Sequence, residues 1–358
     1  MPFTVGDGVG DFTLASGDGK PVTLSDTVGV PVVLLFLPTN DESETTLARG
    51  FAALHQEFVT LRTPVLAIRR RAVGLGVRTP GDFVPSPGEF PFPQLLDSDA
   101  KLTSDYGAHR LRTVLLDMNA RVWRIYEPVD PAGHAADVLA DVKALLHREE
   151  PRQVIQQAPV LLVPKVFPPE FCRELVQIWE TEGNQDSGFM RQENGQTVGK
   201  IDYGRKRRRD HFIPAGNDLH KRIGDYLGRR ITREIVKAFN YPATRLEQIK
   251  IACYEAVGGG YFRPHRDNTT EATAHRRFAC SLLLNDDYEG GYLRFPEYGP
   301  HLYRPDAGSA VIFSCTLLHE ATDVTAGRRF VLLTFFYGDK EARIREEYNK
   351  RVGGTYRA

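Results

Sequence analysis

Residues 258–268 read GGGYFRPHRDN, a glycine turn that leads into a short strand-like stretch containing the triplet His265-Arg266-Asp267. Residues i and i+2 of a strand point to the same face, so this imidazole and carboxylate are expected to converge on one volume. The triplet alone is weak evidence, because ten histidines in a chain of ordinary charge content would produce one by accident about half the time. Its surroundings decide how it is interpreted.

A second histidine, His319, follows after a strand-like stretch at 311–314. Between the two sites, residues 288–295 read YEGGYLRF and resemble a hairpin turn that would return the chain to the same barrel. Two imidazoles and one carboxylate are the ligand set of non-haem iron(II) oxygenases, which leave the other coordination positions open. The pattern therefore predicts an iron site at His265, Asp267 and His319. The alternative is a set of hydrogen-bonded polar residues on an ordinary sandwich.

Arg329 opens the apolar strand predicted at 330–337, where it shares a face with Val331, Leu333 and Phe335. An arginine that enters a barrel is costly unless an anion meets it. The planar guanidinium suits a carboxylate, which it can bind through two hydrogen bonds. The sequence thus predicts a carboxylate ligand beside the metal site.

The wider second half predicts helices followed by many short strands. A helix start at Pro169 and helical periodicity over 219–239 come first. From Gln248 onward the chain is strand-like, with glycine turns at 258–260, 290–291, 307–308 and 326–327. Short strands with such turns indicate an antiparallel sandwich or barrel, such as a jelly roll.

Several short motifs in this region match one known family. They are Ala252-Cys253-Tyr254, Gly260-Tyr261, Arg263, His265, Asp267-Asn268, Cys280, Leu284-Asn285, Gly290-Gly291, Leu293-Arg294, His319-Glu320 and Arg329-Phe330. In this combination they resemble the prolyl 4-hydroxylases, and in detail the oxygen-sensing prolyl hydroxylases, over about residues 155–345.

The resemblance implies a double-stranded β-helix with catalytic iron(II) held by His265, Asp267 and His319. It also implies 2-oxoglutarate and oxygen as co-substrates, with Arg329 holding the distal carboxylate, Tyr254 lining the same pocket, and ascorbate as an accessory reductant. Where the oxygen-sensing enzymes place a tyrosine on that carboxylate, this chain is expected to place Leu283, so a sensing role stays open. Family halogenases lack the carboxylate that Asp267 supplies, which favours hydroxylation.

The expected reaction is hydroxylation of an unactivated C–H bond in a peptidyl or free amino-acid side chain, with proline as one candidate. Nucleic-acid dealkylation by the same iron site is an alternative, although that family's pattern has a further arginine where this chain has Phe335. A non-catalytic binding or sensor module that retains the metal is the third interpretation. The metal site does not identify the exact substrate, because the same site serves proline, other amino acids and small metabolites.

A basic run, RKRRR at 205–209, is the strongest charge cluster. Such a run in a neutral chain is usually a solvated edge, and a nucleic-acid partner is disfavoured. In the resembling family the matching region lies near the mouth of the active site. Arg207, Arg208 and Arg209 are therefore candidates for gripping an acidic peptide or a small anionic substrate.

The first 150 residues alternate strand-like and helix-like stretches: apolar runs at 31–37 and 64–68, helices at 44–58 and 135–147, and short strands at 113–118 and 122–126. A loop rich in proline and glycine is predicted at 79–93. The motifs DFTL at 11–14, GKPVTLS at 19–25, FLP at 36–38 and LLDSD at 95–99 resemble a peroxiredoxin-like thioredoxin fold over about 145 residues.

The family's reactive cysteine follows the Phe-x-Pro segment, but residues 38–45 read PTNDESET. Peroxide reduction needs a thiolate, which a hydroxyl at Thr45 cannot replace. This domain is accordingly predicted to be a redox-inert structural or docking module.

Length and composition complete the expectations. A chain of 358 residues favours two domains, predicted at 1–150 and 155–345 with a tail at 346–358 and a charged, proline-containing boundary near 148–153. Equal numbers of basic and acidic residues, 46 each, give no global attraction to nucleic acid or an anionic membrane. The start of the chain lacks a signal-peptide pattern and no apolar run approaches ~20 residues, so a cytoplasmic location is expected. The four cysteines are expected to be reduced and buried, and the oligomeric state is not predicted.

Overall fold

A computed structural model describes residues 1–39, 41–70, 90–127, 129–147, 151–193 and 196–352. The chain divides into two compact units, residues 1–152 and 153–358. The proline- and glycine-rich loop predicted at 79–93 lies mostly outside the described residues.

The elements in the described part of the first unit, in chain order, are β1 (Thr13–Ser16), β2 (Pro21–Thr23), a 3-10 turn (Leu24–Thr27), β3 (Val32–Leu37), α1 (Glu42–Ala53), α2 (His55–Thr60), β4 (Val65–Arg70), β5 (Gln94–Asp97), α3 (Lys101–Asp105), β6 (Arg112–Leu116), β7 (Val122–Tyr126) and α4 (His134–Leu146). The unit is built around a seven-stranded sheet in the order β2-β1-β5-β4-β3-β6-β7, in which β3, β4 and β5 are parallel and the other pairs antiparallel.

The burial of strand β3 on both faces explains the continuous apolar run at 31–37. Its residues Val33 and Leu35 pack into a core with α1 and α4, whereas Leu34 and Phe36 pack into a second core on the opposite face of the sheet. A strand covered on both faces cannot alternate with polar residues. The helix predicted over 44–58 is two helices, which are interrupted at Leu54.

The second unit contains the remaining elements. In the described ranges they are β8 (Leu161–Val163), α5 (Pro169–Thr181), β9 (Gln185–Asp186), β10 (Phe189–Glu193), β11 (Gln196–Lys200), β12 (Lys206–Arg207), β13 (Arg209–Phe212), α6 (Asp218–Leu227), a π-helical turn (Gly228–Thr232), α7 (Arg233–Phe239), β14 (Arg245–Leu246), β15 (Lys250–Glu255), β16 (Tyr261–His265), a 3-10 turn (Glu271–Thr273), β17 (Phe278–Leu283), β18 (Glu289–Gly290), β19 (Leu293–Arg294), a 3-10 turn (Pro296–Tyr298), β20 (Leu302–Tyr303), β21 (Ala310–Ser314), β22 (His319–Ala321), β23 (Val324–Ala326), β24 (Arg328–Tyr337) and α8 (Asp339–Val352).

Two antiparallel sheets form the body of this unit. The larger has the order β8-β21-β17-β24-β15-β13-β9 with β14 beside β24, and the smaller has the order β12-β16-β22-β19-β20. Helices α5, α6 and α7 cover one face of the larger sheet, where Ile251, Cys253 and Leu332 join their core. The alternate residues Ala252, Tyr254 and Val331 belong to a separate cluster on the opposite face. Because successive strand residues point to opposite faces, this register also sends Arg329 to that face.

Most of the predicted elements are present. The helix that starts at Pro169 and the helical stretch over 219–239 are both observed, the latter as α6 and α7 joined by the π-helical turn. The hairpin expected at 288–295 is wrong: β18 pairs with β23, and β19 pairs with β20 and β22. Strand β19 nevertheless lies beside β22, which carries His319.

The end of the described chain is helical rather than extended. Helix α8 continues past residue 345 to Val352, and its Tyr348 is buried. The tail expected from residue 346 therefore begins inside a helix. No helix in the described ranges combines the length and apolar character needed to cross a membrane.

Candidate metal centre and its cavity

The candidate iron ligands come from two adjacent strands of the smaller sheet. His265 ends β16 and His319 begins β22, and the two are direct partners in the antiparallel register. Asp267 lies two residues beyond the end of β16, so the prediction that it shares a strand with His265 is wrong. Its backbone N–H donates to the Cys315 carbonyl at 3.0 Å, which fixes the loop that carries the carboxylate.

The three side chains converge as a metal site requires. One potential ligand atom from each of His265, Asp267 and His319 lies within 4.8 Å of the others. The Nε2 atom of His265 is 3.6 Å from Asp267 Oδ1, and the Nε2 atom of His319 is 3.4 Å from Asp267 Oδ2. Their roles as iron ligands remain a prediction, but this donor set fits Fe(II).

Backbone carbonyls orient both imidazoles. The Nδ1–H of His265 donates to the Arg263 carbonyl at 2.9 Å, and the Nδ1–H of His319 donates to the Leu317 carbonyl at 3.0 Å. A carbonyl oxygen can only accept, so each ring is held in the tautomer whose Nε2 lone pair is free. Hydrogen bonds of this kind are what fix metal-binding histidines in proteins.

The protonation states also suit a divalent cation. Burial lowers the pKa of His319 to about 4, although Asp267 opposes the shift, so the ring is neutral near pH 7. Burial alone would raise the pKa of the Asp267 carboxyl, but the two imidazoles, His319 foremost, hold that pKa below its usual range. A metal ion needs neutral imidazoles and an ionised carboxylate, which these groups already provide.

A cavity of about 660 Å³ contains all five residues singled out from the sequence: His265, Asp267, His319, Arg329 and Tyr254. This volume is within the range of small-molecule sites. Eight Lys or Arg side chains line the cavity, against two Asp side chains. The cavity is therefore suited to anionic ligands.

Arg329 is the least compensated charge in this cavity. Its side chain is only 2% exposed, and its nearest hydrogen-bond partner is Ser281 Oγ, 3.4 Å from an Nη atom. Its Nε–H has no hydrogen-bond partner, and among the described residues no carboxylate lies within 4.0 Å. A buried guanidinium left in this state implies an anionic ligand.

Ser281, and not Leu283, is the β17 side chain beside Arg329. Leu283 packs with Tyr254 and Val331 and does not line the cavity. Tyr254 does line it: the Arg329 guanidinium lies 5.1 Å from the centre of its ring, and its hydroxyl accepts a hydrogen bond from Arg208 at 3.2 Å.

Two buried ion pairs support the cavity. Arg208 donates two hydrogen bonds of 2.7 Å to the carboxylate of Asp210. Arg276 donates in the same way to Glu247 at 2.7 and 2.6 Å. Such paired charges satisfy each other and need no ligand. His275 is also buried and contacts Glu247 at 2.9 Å, so it belongs to this structural cluster.

Within the basic run, residues 206–209 alternate between the cavity and solvent, and the exposed Arg205 also lines the cavity. Lys206 and Arg208 are buried and line the cavity, whereas Arg207 and Arg209 are exposed and do not. Arg207 donates to the Gly258 carbonyl, and Arg209 lies 4.0 Å from Asp186. Of the three arginines predicted to grip an anionic substrate, Arg208 faces the cavity. Lys206 was missed, although period-two alternation through the run places it on the same face as Arg208.

Comparisons with known proteins agree with this geometry. Residues 249–337 match the sequence model of the 2OG-Fe(II) oxygenase superfamily. The second unit contains a 2OG-Fe(II) oxygenase domain. Residues 5–124 match the AhpC/TSA family, which confirms the peroxiredoxin-like, thioredoxin-fold character predicted for the first unit.

Individual relatives of the oxygenase unit are hydroxylases by name. A PKHD-type hydroxylase of Stenotrophomonas maltophilia is 26% identical over 165 residues, which cover 44% of this chain and 70% of that protein. The superfamily match and such relatives show that the chain is an enzyme of the 2-oxoglutarate and Fe(II) dependent dioxygenase class. This class uses Fe(II) and 2-oxoglutarate, whereas the expected use of ascorbate stays a prediction.

Solved structures give two further similarities. Peroxiredoxin Q of Xanthomonas campestris is 26% identical, with a TM-score of 0.32, and the match covers 37% of this chain and 90% of that one. A prolyl-4-hydroxylase of Pseudomonas putida is 17% identical, with a TM-score of 0.39 and coverage of 51% and 93%.

Proposed function

We propose that the oxygenase unit hydroxylates an unactivated C–H bond in a peptidyl or free amino-acid side chain, with proline as one candidate. His265, Asp267 and His319 would hold Fe(II), and Arg329 would hold the distal carboxylate of 2-oxoglutarate. The chemistry that bound Fe(II) supplies is insertion of one oxygen atom of O2 into the C–H bond, while the other oxygen atom enters succinate as 2-oxoglutarate loses CO2.

One observation carries this proposal. The buried, unpaired guanidinium of Arg329 lies in the same cavity as two imidazoles whose Nε2 atoms are free and a carboxylate. A metal site alone would not need the arginine, and an anion site alone would not need the histidines. A ligand with a carboxylate for Arg329 and a second group for the metal accounts for both.

The chain's own residues have separable roles in this scheme. The carbonyls of Arg263 and Leu317 keep the two Nε2 atoms available to the metal. Tyr254, held by its hydrogen bond from Arg208, forms a wall beside the Arg329 guanidinium. Positioning of this kind is how a fixed site contributes to catalysis.

The test is succinate formation from 2-oxoglutarate, measured with Fe(II) and O2 on the full chain, together with mass spectrometry of treated peptide and amino-acid pools. We expect succinate and products gaining one oxygen with the unmodified protein and with His301→Ala, an exposed histidine of the same unit. His265→Ala is expected to lose both signals. Succinate formation that survives His265→Ala would contradict the metal assignment, and binding of 2-oxoglutarate without succinate would favour the non-catalytic interpretation.

A further inference from the structure

Lys206 is a second buried cation in the cavity that lacks a carboxylate partner. Its side chain is 4% exposed, and its ammonium donates to Ser187 Oγ at 2.7 Å and to the Gly188 carbonyl at 2.6 Å. Among the residues that the structure describes, no carboxylate oxygen lies within 4.0 Å of its Nζ atom. An ammonium has three N–H donors, so these two neutral acceptors leave one donor unmatched and give the charge no direct carboxylate partner.

The buried cations of the cavity that have a carboxylate partner are Arg208 and Arg276, which are each bound to it by two hydrogen bonds. Lys250 is only half-buried and lies 4.0 Å from Asp210, the partner of Arg208. The distal carboxylate of 2-oxoglutarate is the proposed partner of Arg329. Within the described part of the cavity, Lys206 is then the buried cation that remains when the co-substrate is bound.

Lys206 stands close to the metal centre and on its side of the cavity. Its Nζ atom is 4.8 Å from the centre of the Phe262 ring, which stacks on the His265 ring with centroids 3.4 Å apart. Strand β12, which carries Lys206, belongs to the smaller sheet with the two histidines, whereas Arg329 belongs to the larger sheet. The two unmatched cations therefore come from opposite sheets, and each can meet a different anion.

We propose that Lys206 binds a carboxylate of the substrate, so that this oxygenase acts on an acidic molecule or an acidic peptide segment. The inference rests on the proposed function and adds the chemical class of the substrate. A single ammonium neutralises one negative charge, which matches a carboxylate better than a phosphate dianion, since the second charge would be buried without a partner.

The electrostatics of the cavity agree with this assignment. Burial, with Arg208 adding to it, lowers the pKa of the Lys206 ammonium well below its usual value. A carboxylate placed beside the ammonium would favour the charged form and offset this effect. The site therefore favours acids over neutral molecules of the same shape.

The experiment measures ligand binding without turnover. The full chain is loaded with Mn(II) and saturating 2-oxoglutarate, and the NMR relaxation of added probe protons reports their approach to the metal. The probes are L-glutamate against L-glutamine, and acetyl-Gly-Glu-Gly-amide against acetyl-Gly-Gln-Gly-amide. The first pair tests a free acid and the second an acidic peptide. The protein variants are Lys206→Met and the control Arg207→Met, the exposed neighbour outside the cavity.

We expect at least one acid to bind about tenfold or more tightly than its amide, the contribution expected of one charge-assisted hydrogen bond. This preference should be lost in Lys206→Met and kept in Arg207→Met, while the protons of 2-oxoglutarate relax equally in both. The pair that shows the preference identifies the source of the carboxylate.

Four results would overturn the inference. If neither acid exceeds its amide, or if Lys206→Met keeps the preference, Lys206 does not bind a substrate carboxylate. If Lys206→Met instead weakens the binding of 2-oxoglutarate, Lys206 binds the co-substrate and not the substrate. If Mn(II) in the unmodified protein does not speed the relaxation of the 2-oxoglutarate protons, the proposed function is wrong and this inference is wrong with it.

Discussion

Arg329 places a permanent charge inside the oxygenase unit without a counter-ion in the described residues. Burying an unpaired charge opposes folding, so the residue is better explained by ligand binding than by stability. Removal of the Arg329 side chain is therefore not expected to destabilise the unit, which is unusual for a buried residue.

We predict that Arg329→Met abolishes the rise in melting temperature that 2-oxoglutarate produces in the Mn(II)-loaded protein. The ligand-free variant should be at least as stable as the unmodified protein, because a buried unpaired charge has been replaced by an apolar chain of similar length. Arg328→Met is the matched control, since Arg328 is exposed and paired with Glu180. Thermal unfolding with and without 2-oxoglutarate checks both statements. Stabilisation by 2-oxoglutarate that is retained in Arg329→Met would contradict the first, and a lower melting temperature of the ligand-free variant would contradict the second.

Gly291 shapes the position of the arginine. It has a positive φ of 61°, and a Cβ atom there would lie 2.7 Å from Arg329 Cδ and 2.9 Å from Val324 Cγ2. Both contacts are closer than side chains tolerate, so the arginine would have to move.

Gly291→Ala is therefore expected to raise the KM for 2-oxoglutarate about tenfold or more, and to destabilise the oxygenase unit by about 1–3 kcal/mol through strain and overpacking. Gly258→Ala separates the two causes. It has a similar positive φ of 88°, but the nearest atom to its Cβ would be 3.9 Å away. An unchanged KM in Gly291→Ala, or an equal rise in Gly258→Ala, would show that contact with Arg329 is not the reason.

At the scale of elements, strands β13 and β15 bring the half-buried Lys250, which lines the cavity, beside the buried Asp210. Lys250 on β15 lies 4.0 Å from Asp210 on β13. Burial lowers the pKa of Lys250 to about 8, with Asp210 opposing the shift and Arg208 adding to it. Below about pH 8 Lys250 is protonated in the folded protein despite its environment. In the unfolded chain the same side chain stays protonated up to about pH 10.5.

Between these two pH values the unfolded chain binds more protons than the folded protein, so this lysine makes stability rise with pH. We predict that the free energy of unfolding of the unmodified protein, minus that of Lys250→Met, increases from pH 8 to 10 with a slope of at most about 1.4 kcal/mol per pH unit. Urea unfolding followed by Trp179 fluorescence in a Trp123→Phe background measures the oxygenase unit. A difference that is flat or falls with pH would contradict the prediction.

The elements that the sequence predicted well are those whose pattern is set by burial. Strand β3 is apolar throughout because both of its faces are covered, and β24 is apolar over most of its length because one face meets the helices and the other the cavity. The hairpin at 288–295 failed because β18 and β19 pair with other strands instead of each other. Pairing partners are tertiary information that a local turn pattern does not contain.

The candidate site divides in the same way. His265, His319 and Arg329 were found because their chemistry and order in the chain are distinctive. The placement of Asp267 beyond the strand end depends on its bond to the Cys315 carbonyl, which sequence spacing does not reveal. Ser281 was missed because a serine on an apolar strand has no distinctive chemistry. Lys206 was missed because alternation in a basic run does not tell which of its two faces meets the cavity.

For the whole molecule, thiol chemistry is absent from the first unit and suppressed in the second. The sequence has no cysteine before Cys172. All four cysteines are buried and free, and burial raises the pKa of Cys172 and of Cys253 to about 12. The metal-free full chain is therefore predicted not to consume hydrogen peroxide in the presence of dithiothreitol, above the rate of the reductant alone. The prediction would be contradicted by peroxide consumption that disappears when all four cysteines are replaced by serine.

Each unit has cores of its own, which suggests that each can unfold by itself. The first unit packs apolar clusters on both faces of its sheet, and the second packs one cluster under its helices and two others. Each unit also has one tryptophan that can report its unfolding by fluorescence: Trp123 in the first unit and the buried Trp179 in the second. Single Trp→Phe variants of the full chain therefore allow the two unfolding transitions to be followed separately.

We predict two urea midpoints, each reproduced by the matching fragment, 1–152 or 153–358. Mn(II) with 2-oxoglutarate at about 100 times its Kd should stabilise only the transition reported by Trp179, by about 2.7 kcal/mol, because a ligand stabilises the cooperative unit that binds it. The Trp123 transition serves as the internal control. A single midpoint shared by both reporters, or a ligand shift of equal size in both, would mean that the two units unfold as one, and the first unit would then contribute to the stability of the oxygenase.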